Sequence, residues 1–481
     1  MKLLKTILGK LAGISKAGAR FPLAFLGLIA IASINAVSIE NNHDFGKQII
    51  SLVVAVFCFI VAQVLSERFG KTIISKIIFY LAATAISIGY YFVILTENDI
   101  SLSISVKTTV AIFALLVSFI WIPSIKGKSD FNAVFMSIFK AIFTSAFFSA
   151  IIWGGISLII VAVDQLLINV NQHAYLHTAN IVWVVFASML FLSLIPTFNG
   201  KETDEERIKK ASSCPRFLEV LLSYVLVPLE AIYSLVLLLY IVKTVFTSNW
   251  NNNLLEPLSL SYCISVILLY VLVSDIKNRF ATIFRKVFPK LLVLIALFQI
   301  VSSVTTVFSD GIVHTSYFVL MFGLYCVICG ILLSIFPPKK NGIIAAIAIA
   351  FALVCITPRM DAFSVSFASQ SSIIENTLEK NDMLKNSTVT PNANVSEEDK
   401  TKIVSAFSYI NRINDTDRLD FLPDDFESYK DFEQTFGFPT KSYYAPIDTV
   451  NKHYTNDSLQ LIDIGNYVNM SQQIEQLSRC N

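Results

Sequence analysis

The chain has 481 residues, 54% of them hydrophobic and 15% charged, with a net charge of +2 and a mean hydropathy of +0.64. Soluble domains carry about 25% charged residues, so this composition excludes an ordinary soluble globular chain. Nearly the whole deficit lies before residue 358, where apolar segments recur with short polar gaps.

A stretch of about 18 or more apolar residues can cross a hydrocarbon core about 30 Å thick, because each helical residue rises about 1.5 Å. Eleven candidate spans follow in order: 21–37, 48–65, 77–95, 108–123, 141–163, 180–198, 217–242, 258–273, 291–308, 316–336 and 343–356. The last, with 14 residues, is the weakest. The first follows a basic leader, but no A-x-A cleavage pattern succeeds it, so it reads as a retained helix. The seven cysteines are Cys58, Cys214, Cys263, Cys326, Cys329, Cys355 and Cys480, and five fall inside apolar segments, where cysteine behaves as a small hydrophobe. Cys326 and Cys329 form a CxxC within "FGLYCVICGILL", without the exposed, electropositive setting that redox chemistry needs.

Lys and Arg in the connections set the orientation. One set of connections, including the N-terminus, holds 22 basic residues, and the alternate set holds three: Lys47, Lys107 and Lys243. This asymmetry places the N-terminus in the cytoplasm. With eleven spans, everything after Ile356 then lies outside it.

Residues 358–481 are a different material, with 11 basic and 19 acidic residues and a net charge of −8. "SSIIENTLEKNDML" carries Ile373, Ile374, Leu378 and Leu384 at helical spacing. "SEEDKTKIVSAFSYI" opens with Ser396 as N-cap and Asp399 three residues on, a variant of the capping box, and Ile403, Phe407 and Ile410 form its apolar stripe. "STVTPNANV" reads as a loop, "LPDDFESYKDFEQTFGF" as a short helix and "SLQLIDIGNYV" as a strand. A lone strand is unstable, so this final domain is incomplete or pairs with something else. The expected architecture is an all-α polytopic membrane bundle of about 11 transmembrane helices. It divides into a basic cytoplasmic N-terminus (1–20), the bundle (21–357) and a small acidic extracytoplasmic α+β domain (358–481).

The strongest candidate for a working group is Glu230, in "LLSYVLVPLEAIYSLVLLLYIV". It lies about 13 residues, or about 20 Å, inside the seventh span. An acidic residue at such depth costs roughly 2.5–3.5 kcal/mol and must face the bundle interior or a wet cavity. Ser223, Glu230, Tyr233 and Ser234 share one helix face, and Pro228 frees the carbonyl of Tyr224. Glu230 therefore reads as an ion or proton site, or as a protonated acid hydrogen-bonded to a neighbouring helix. Lys140 is second: if the fifth helix begins near Phe131 it lies about 13 Å deep. It then either pairs with Glu230 or snorkels to water, the preferred reading. Gly154 and Gly155 interrupt that helix on this reading, as Pro228 interrupts the seventh. His173 and His177 stand four apart in an outward loop, but two histidines with only Asp164 nearby are incomplete for zinc, so no metal is expected. Lys277, Arg279, Arg285 and Lys286 in "KNRFATIFRK" suit anionic lipid headgroups or serve topology alone.

No P-loop, HExxH, GxSxG or GxGxxG occurs, and the SxxK at Ser137–Lys140 is a chance-level match, so no catalytic residue is assigned. An enzyme acting on lipid-linked substrates would find only Asp164, Asp310 and His314 at the outer helix ends. "KETDEERIKKASSCPR" mixes signs and reads as a solvated linker, not a nucleic-acid site.

Several stretches resemble a bacterial inner-membrane family catalogued as domain of unknown function 4153. They are "RFPLAFLGLIA" at the first span, "YVLVPLEAIYSLVLLLYIVK", "IFRKVFPKLLVLIALFQIV" and "MDAFSVSFASQSSIIENTLEKNDML" with the "SEEDK" helix after it. Around "SDGIVHTSYF" Gly311 and Tyr317 fit the family pattern, whereas Val313 and Ser316 stand where it has Thr and Arg. The resemblance implies a multi-span bundle in a bacterial inner membrane and no known activity.

Two functions compete. The favoured one is a non-catalytic envelope sensor or scaffold presenting the terminal domain, because the polar inventory inside the bundle is thin. The alternative is a secondary transporter with Glu230 as the coupling site. The partners expected are the lipid bilayer, anionic lipids and an envelope protein held by the terminal domain; no cofactor and no nucleic acid are expected.

Overall fold

The computed structural model describes residues 13–440, apart from 42, 97–99, 126–129, 199–201, 248–254, 386–387, 424–425 and 428–429. The strand expected in "SLQLIDIGNYV" lies outside the described residues.

Among the described residues ten helices are long and apolar enough to cross a membrane, and an eleventh apolar helix is shorter. They are α1 (Pro22–Asn41), α2 (Gly46–Phe69), α3 (Ile73–Leu95), α4 (Leu102–Trp121, extended by a tight turn to Ser124), α5 (Phe131–Leu166) and α6 (His173–Leu194). After the short α7 (Glu202–Ser212) come α8 (Arg216–Thr247), α9 (Leu255–Leu272), α10 (Arg279–Asp310), α11 (His314–Ile335) and α12 (Gly342–Ile356). Each of the eleven expected spans falls on one of these helices. The short one is α9, not the last: a 3₁₀ turn at Pro338–Lys340 lengthens α12 to 19 residues.

Two expected interruptions are not there. α5 runs unbroken through Gly154 and Gly155 for 36 residues, because glycine keeps its N–H and can continue the ladder. α8 continues through Pro228 by widening into a π-helical stretch at Leu221–Leu226, where the N–H of Val227 reaches back five residues to Leu222 O. The proline has no N–H for the Tyr224 carbonyl, and the wider turn relieves its clash there.

Large apolar side chains stay exposed along α3, α5 and α8, such as Leu81, Phe143, Leu158 and Phe246. On a soluble protein such a patch would drive aggregation; on this one it faces lipid. The interior holds one large core of residues such as Phe21, Val134, Leu192, Leu222, Tyr262, Phe284 and Leu292, and a small separate cluster of Val54, Cys58, Ala62 and Ala83 between α2 and α3.

Hydrogen bonds sort the helix ends into two groups. At the basic end Arg68 Nε donates to Ile125 O at 2.9 Å, and Asn341 Nδ2 donates to Asn132 Oδ1 at 2.8 Å and to Ser274 Oγ at 3.0 Å. At the opposite end Asn180 Nδ2 donates to Ala32 O at 2.7 Å, and Tyr90 bonds Thr108. These contacts join only connections of the same set, which is the alternation that the basic residues led one to expect.

The described part of the chain after α12 is a small unit of its own. α13 (Ala362–Lys380) is capped by Asp361, which accepts from the N–H groups of Phe363 and Ser364. β1 (Leu384–Lys385) and β2 (Thr388–Val389) pair antiparallel, Leu384 opposite Val389. β2 takes up part of the expected loop, and β1 takes Leu384, expected on the helix, which ends at Lys380. α14 (Glu397–Arg412) opens on Ser396, whose Oγ accepts from Asp399 N at 3.2 Å. The expected reciprocal bond is missing, because the Asp399 carboxylate turns to Lys380 instead. Among the described residues of the next expected helix, α15 covers Phe432–Phe436. Ile374, Leu378, Ile403, Phe407 and Phe432 make the unit's core, joined by Val106 of α4 and by Val313, Tyr317 and Phe318 of the last bundle pair. Lys107 pairs with Asp361 at 3.0 Å, and Gln370 Nε2 donates to Asp310 O and Ile312 O. The unit is thus mounted on the bundle end opposite the basic loops.

Candidate functional site

Glu230 lies 14 residues into α8, about 21 Å along the axis, and is 8% exposed. It faces the bundle interior, as its cost in hydrocarbon requires. Of the residues expected to share its face, Ser223 and Ser234 are buried and Tyr233 is half-buried. α8 packs on α9 and α10, and α9 supplies the hydrogen-bond partners. Ser265 Oγ donates to Glu230 Oε1 at 2.8 Å. Ser234 Oγ donates to Glu230 O at 2.7 Å and to Tyr262 Oη at 3.0 Å. Tyr233 Oη donates to Leu258 O at 2.7 Å and lies 2.7 Å from Ser261 Oγ. Ser223 Oγ is buried and has no hydrogen-bond partner among the described residues.

A second cluster continues the first toward the non-basic end. Ser303 Oγ donates to Glu256 Oε1 at 2.7 Å and accepts from Gln299 Nε2 at 2.9 Å. Ser259 Oγ donates to Gln299 Oε1. Ser259, Gln299 and Ser303 are fully buried. Neither Glu230 nor Glu256 joins a salt bridge among the described residues. Together the two clusters form one polar seam between α8, α9 and α10, with two carboxylates and no cation. Below Ser265 the wall closes with Val266, Leu269, Leu292 and Ile295, all buried and apolar.

The bundle interior is therefore richer in polar groups than the sequence led one to expect. Glu256, Ser259, Tyr262 and Ser265 were missed, although they recur every third residue in "LEPLSLSYCIS". Starting the eighth span at 258 left Glu256 in a loop, whereas α9 takes it into its first turn. Gln299 and Ser303, four apart on α10, carry the same signal.

Lys140 does not meet Glu230. Its ammonium donates to Ala211 O and Ser213 O, both at 2.8 Å. It caps the end of α7, where the helix dipole favours a cation. Of the four expected headgroup residues, Lys277, Arg279 and Lys286 are exposed. Arg285 is half-buried and donates to Val273 O at 2.5 Å and Ile276 O at 2.8 Å, sealing the end of α9. His177 Nε2 lies 2.7 Å from Glu40 Oε1, and His173 Nδ1 lies 3.7 Å from Glu40 Oε2. The acid near the two histidines is thus Glu40 of α1, not Asp164, which holds the N–H of Val170. Among the described residues no group of three or more His, Cys, Asp or Glu is arranged to hold a metal ion. His314 stacks on Phe363 and Tyr409, which joins the terminal unit to α11. Cys326 and Cys329 are buried against the core.

Carboxylates, hydroxyls and one amide in a lipid-embedded seam suit a small cation or a proton, not an anion. A family model described as domain of unknown function (DUF4153) matches residues 23–371, which include the whole seam. No curated protein and no solved structure matches the chain.

Proposed function

The chain belongs to the DUF4153 family, and from that premise we propose that this integral membrane protein is a secondary transporter with Glu230 as its ion-coupling group. One observation carries the reading: Glu230, buried, and Glu256, half-buried, lie on one seam with no basic partner among the described residues. A bundle that only needed to hold together would be cheaper with apolar contacts in those places. The π-helical stretch beside Glu230 adds support, since such turns recur at functional sites. The preference for a scaffold rested on a thin polar inventory, and that ground is gone.

By the positive-inside rule the basic end faces the cytoplasm and the terminal unit lies outside it, in a bacterial inner membrane. Exposed Lys277, Arg279 and Lys286 then sit at the cytoplasmic surface, where each attracts anionic headgroups by about 1 kcal/mol. In intact cells an impermeant amine reagent should leave Lys209 unlabelled; its labelling would reverse the map.

The test of transport is flux in proteoliposomes under an imposed proton or sodium gradient. Uptake by the wild type that falls to the level of empty vesicles in Glu230→Gln supports it. Equal uptake by both proteins removes Glu230 from the mechanism. A sensor or scaffold is the second reading, favoured by the terminal unit locked to the bundle through Lys107 and Asp361. It takes over if no gradient drives any flux.

A further inference from the structure

The cluster at the Glu256 end of the seam presents oxygen ligands from two helices. α9 supplies the Glu256 carboxylate and Ser259 Oγ, and α10 supplies Gln299 Oε1 and Ser303 Oγ. Ser259 and Gln299 are 1% exposed and Ser303 is 0% exposed, while Glu256 remains half-buried in the first turn of its helix. No basic side chain pairs with Glu256 among the described residues. The carboxylate lies at the end opposite the basic loops, and the three neutral groups are more deeply buried.

We propose that these four residues bind a monovalent cation of sodium's size. Glu256 supplies the charge, and Ser259 Oγ, Gln299 Oε1 and Ser303 Oγ supply neutral oxygens. Carboxylate, carbonyl and hydroxyl oxygens select hard cations; transition metals take imidazole or thiolate, and the cluster has neither. A single carboxylate neutralises a single positive charge. A divalent ion would leave a net charge buried between helices, which is costly. To admit the ion, the Ser259 and Ser303 hydroxyls turn their protons outward and offer lone pairs. On the transport reading, on which this role alone rests, the ion is the coupling ion. It then has about 13 Å of α9 to travel from Glu256 to the Ser265–Glu230 pair.

The binding is read on the purified full chain in lipid nanodiscs, as the thermal unfolding midpoint during sodium chloride titration. Choline chloride holds the ionic strength constant, and potassium chloride is run in parallel. A saturable rise with sodium is expected, because a ligand of the folded state stabilises it. The rise should be absent with choline and smaller with potassium. Glu256→Gln should lose it, Ser303→Ala should need more sodium, and Glu230→Gln should keep it. Where Glu256→Gln fails to fold, Ser303→Ala decides. Superimposed sodium and choline curves overturn the proposal, as does a wild-type response in Ser303→Ala. Equal shifts with sodium and potassium overturn the size assignment. A midpoint that follows pH alone gives the cluster a proton instead. Sodium binding without flux sinks the transport reading and leaves the site standing; flux without sodium stabilisation does the reverse.

Discussion

Arg20 and Glu67 meet in a two-pronged ion pair at the basic end, Nε to Oε1 at 2.7 Å and Nη2 to Oε2 at 2.8 Å. The same guanidinium donates to Ile195 O at 2.7 Å and Pro196 O at 3.1 Å, so one side chain ties the segment just before α1 to α2 and to the end of α6. Gln63 Nε2 donates to Glu67 as well, and Tyr80 of α3 bonds Gln63. The side chains of the pair are only 14% and 7% exposed.

Removing one partner strands the other without its charge. Arg20→Met should destabilise the bundle by about 3–5 kcal/mol, and Arg20→Lys should not restore it, because an ammonium cannot make both prongs. Arg20→Met with Glu67→Leu should cost less than the two single changes summed. Unfolding of the purified proteins in detergent micelles measures all four.

Lys140 and Glu230 share no partner, so their effects should add. The midpoint losses of Lys140→Met and Glu230→Gln are expected to sum in the double variant within about 0.5 kcal/mol. Lys140→Met should also expose the α7 segment to protease, since two carbonyls at its end lose their donor. A strong coupling between the two changes would restore the pairing that the geometry denies.

Gly330 lets α10 and α11 approach closely. A Cβ there would lie 2.6 Å from Val293 Cγ2 and 2.8 Å from Pro289 O, and the second of these is backbone and cannot swing away. Gly330→Ala should therefore destabilise by about 1–3 kcal/mol, the usual cost of overpacking. An unchanged midpoint would show that the two helices can part freely.

The terminal unit should weaken in acid through Asp399. Hydrogen bonding from Lys380 holds its carboxyl below the ordinary carboxylate value despite burial, with Asn381 and Ser396 helping. The unfolded chain therefore takes up the proton first as pH falls. The contribution is complete above the ordinary value near 4 and is lost as pH drops through the lower folded value. Asp399→Asn should flatten this acid limb in thermal unfolding curves of the full chain. A variant that keeps the wild-type slope would assign the limb to other carboxyls.

Much of this was legible in the residues. Every expected span found its helix, and the inward face of Ser223, Glu230 and Ser234 followed from spacing alone. Three particulars were not. Glu256 looked like a loop residue because a leading Leu-Glu-Pro hides the start of α9. Pairing of Lys140 with Glu230 stayed open beside the preferred snorkelling, because depth along a helix says nothing of which neighbour stands opposite. Glu40 could not be assigned to His173 and His177, since more than 130 residues separate them in sequence.

By itself the sequence determined a lipid-embedded helical bundle with one basic end and a family membership. Hydrophobic length and loop charge are local quantities, and each helix satisfies its own backbone in lipid. Only the tertiary structure decided which polar side chains meet: Glu230 with Ser265, Glu256 with Ser303, Lys140 with the end of α7. Those pairings depend on rotation and neighbour choice among helices, which packing sets and no single segment encodes.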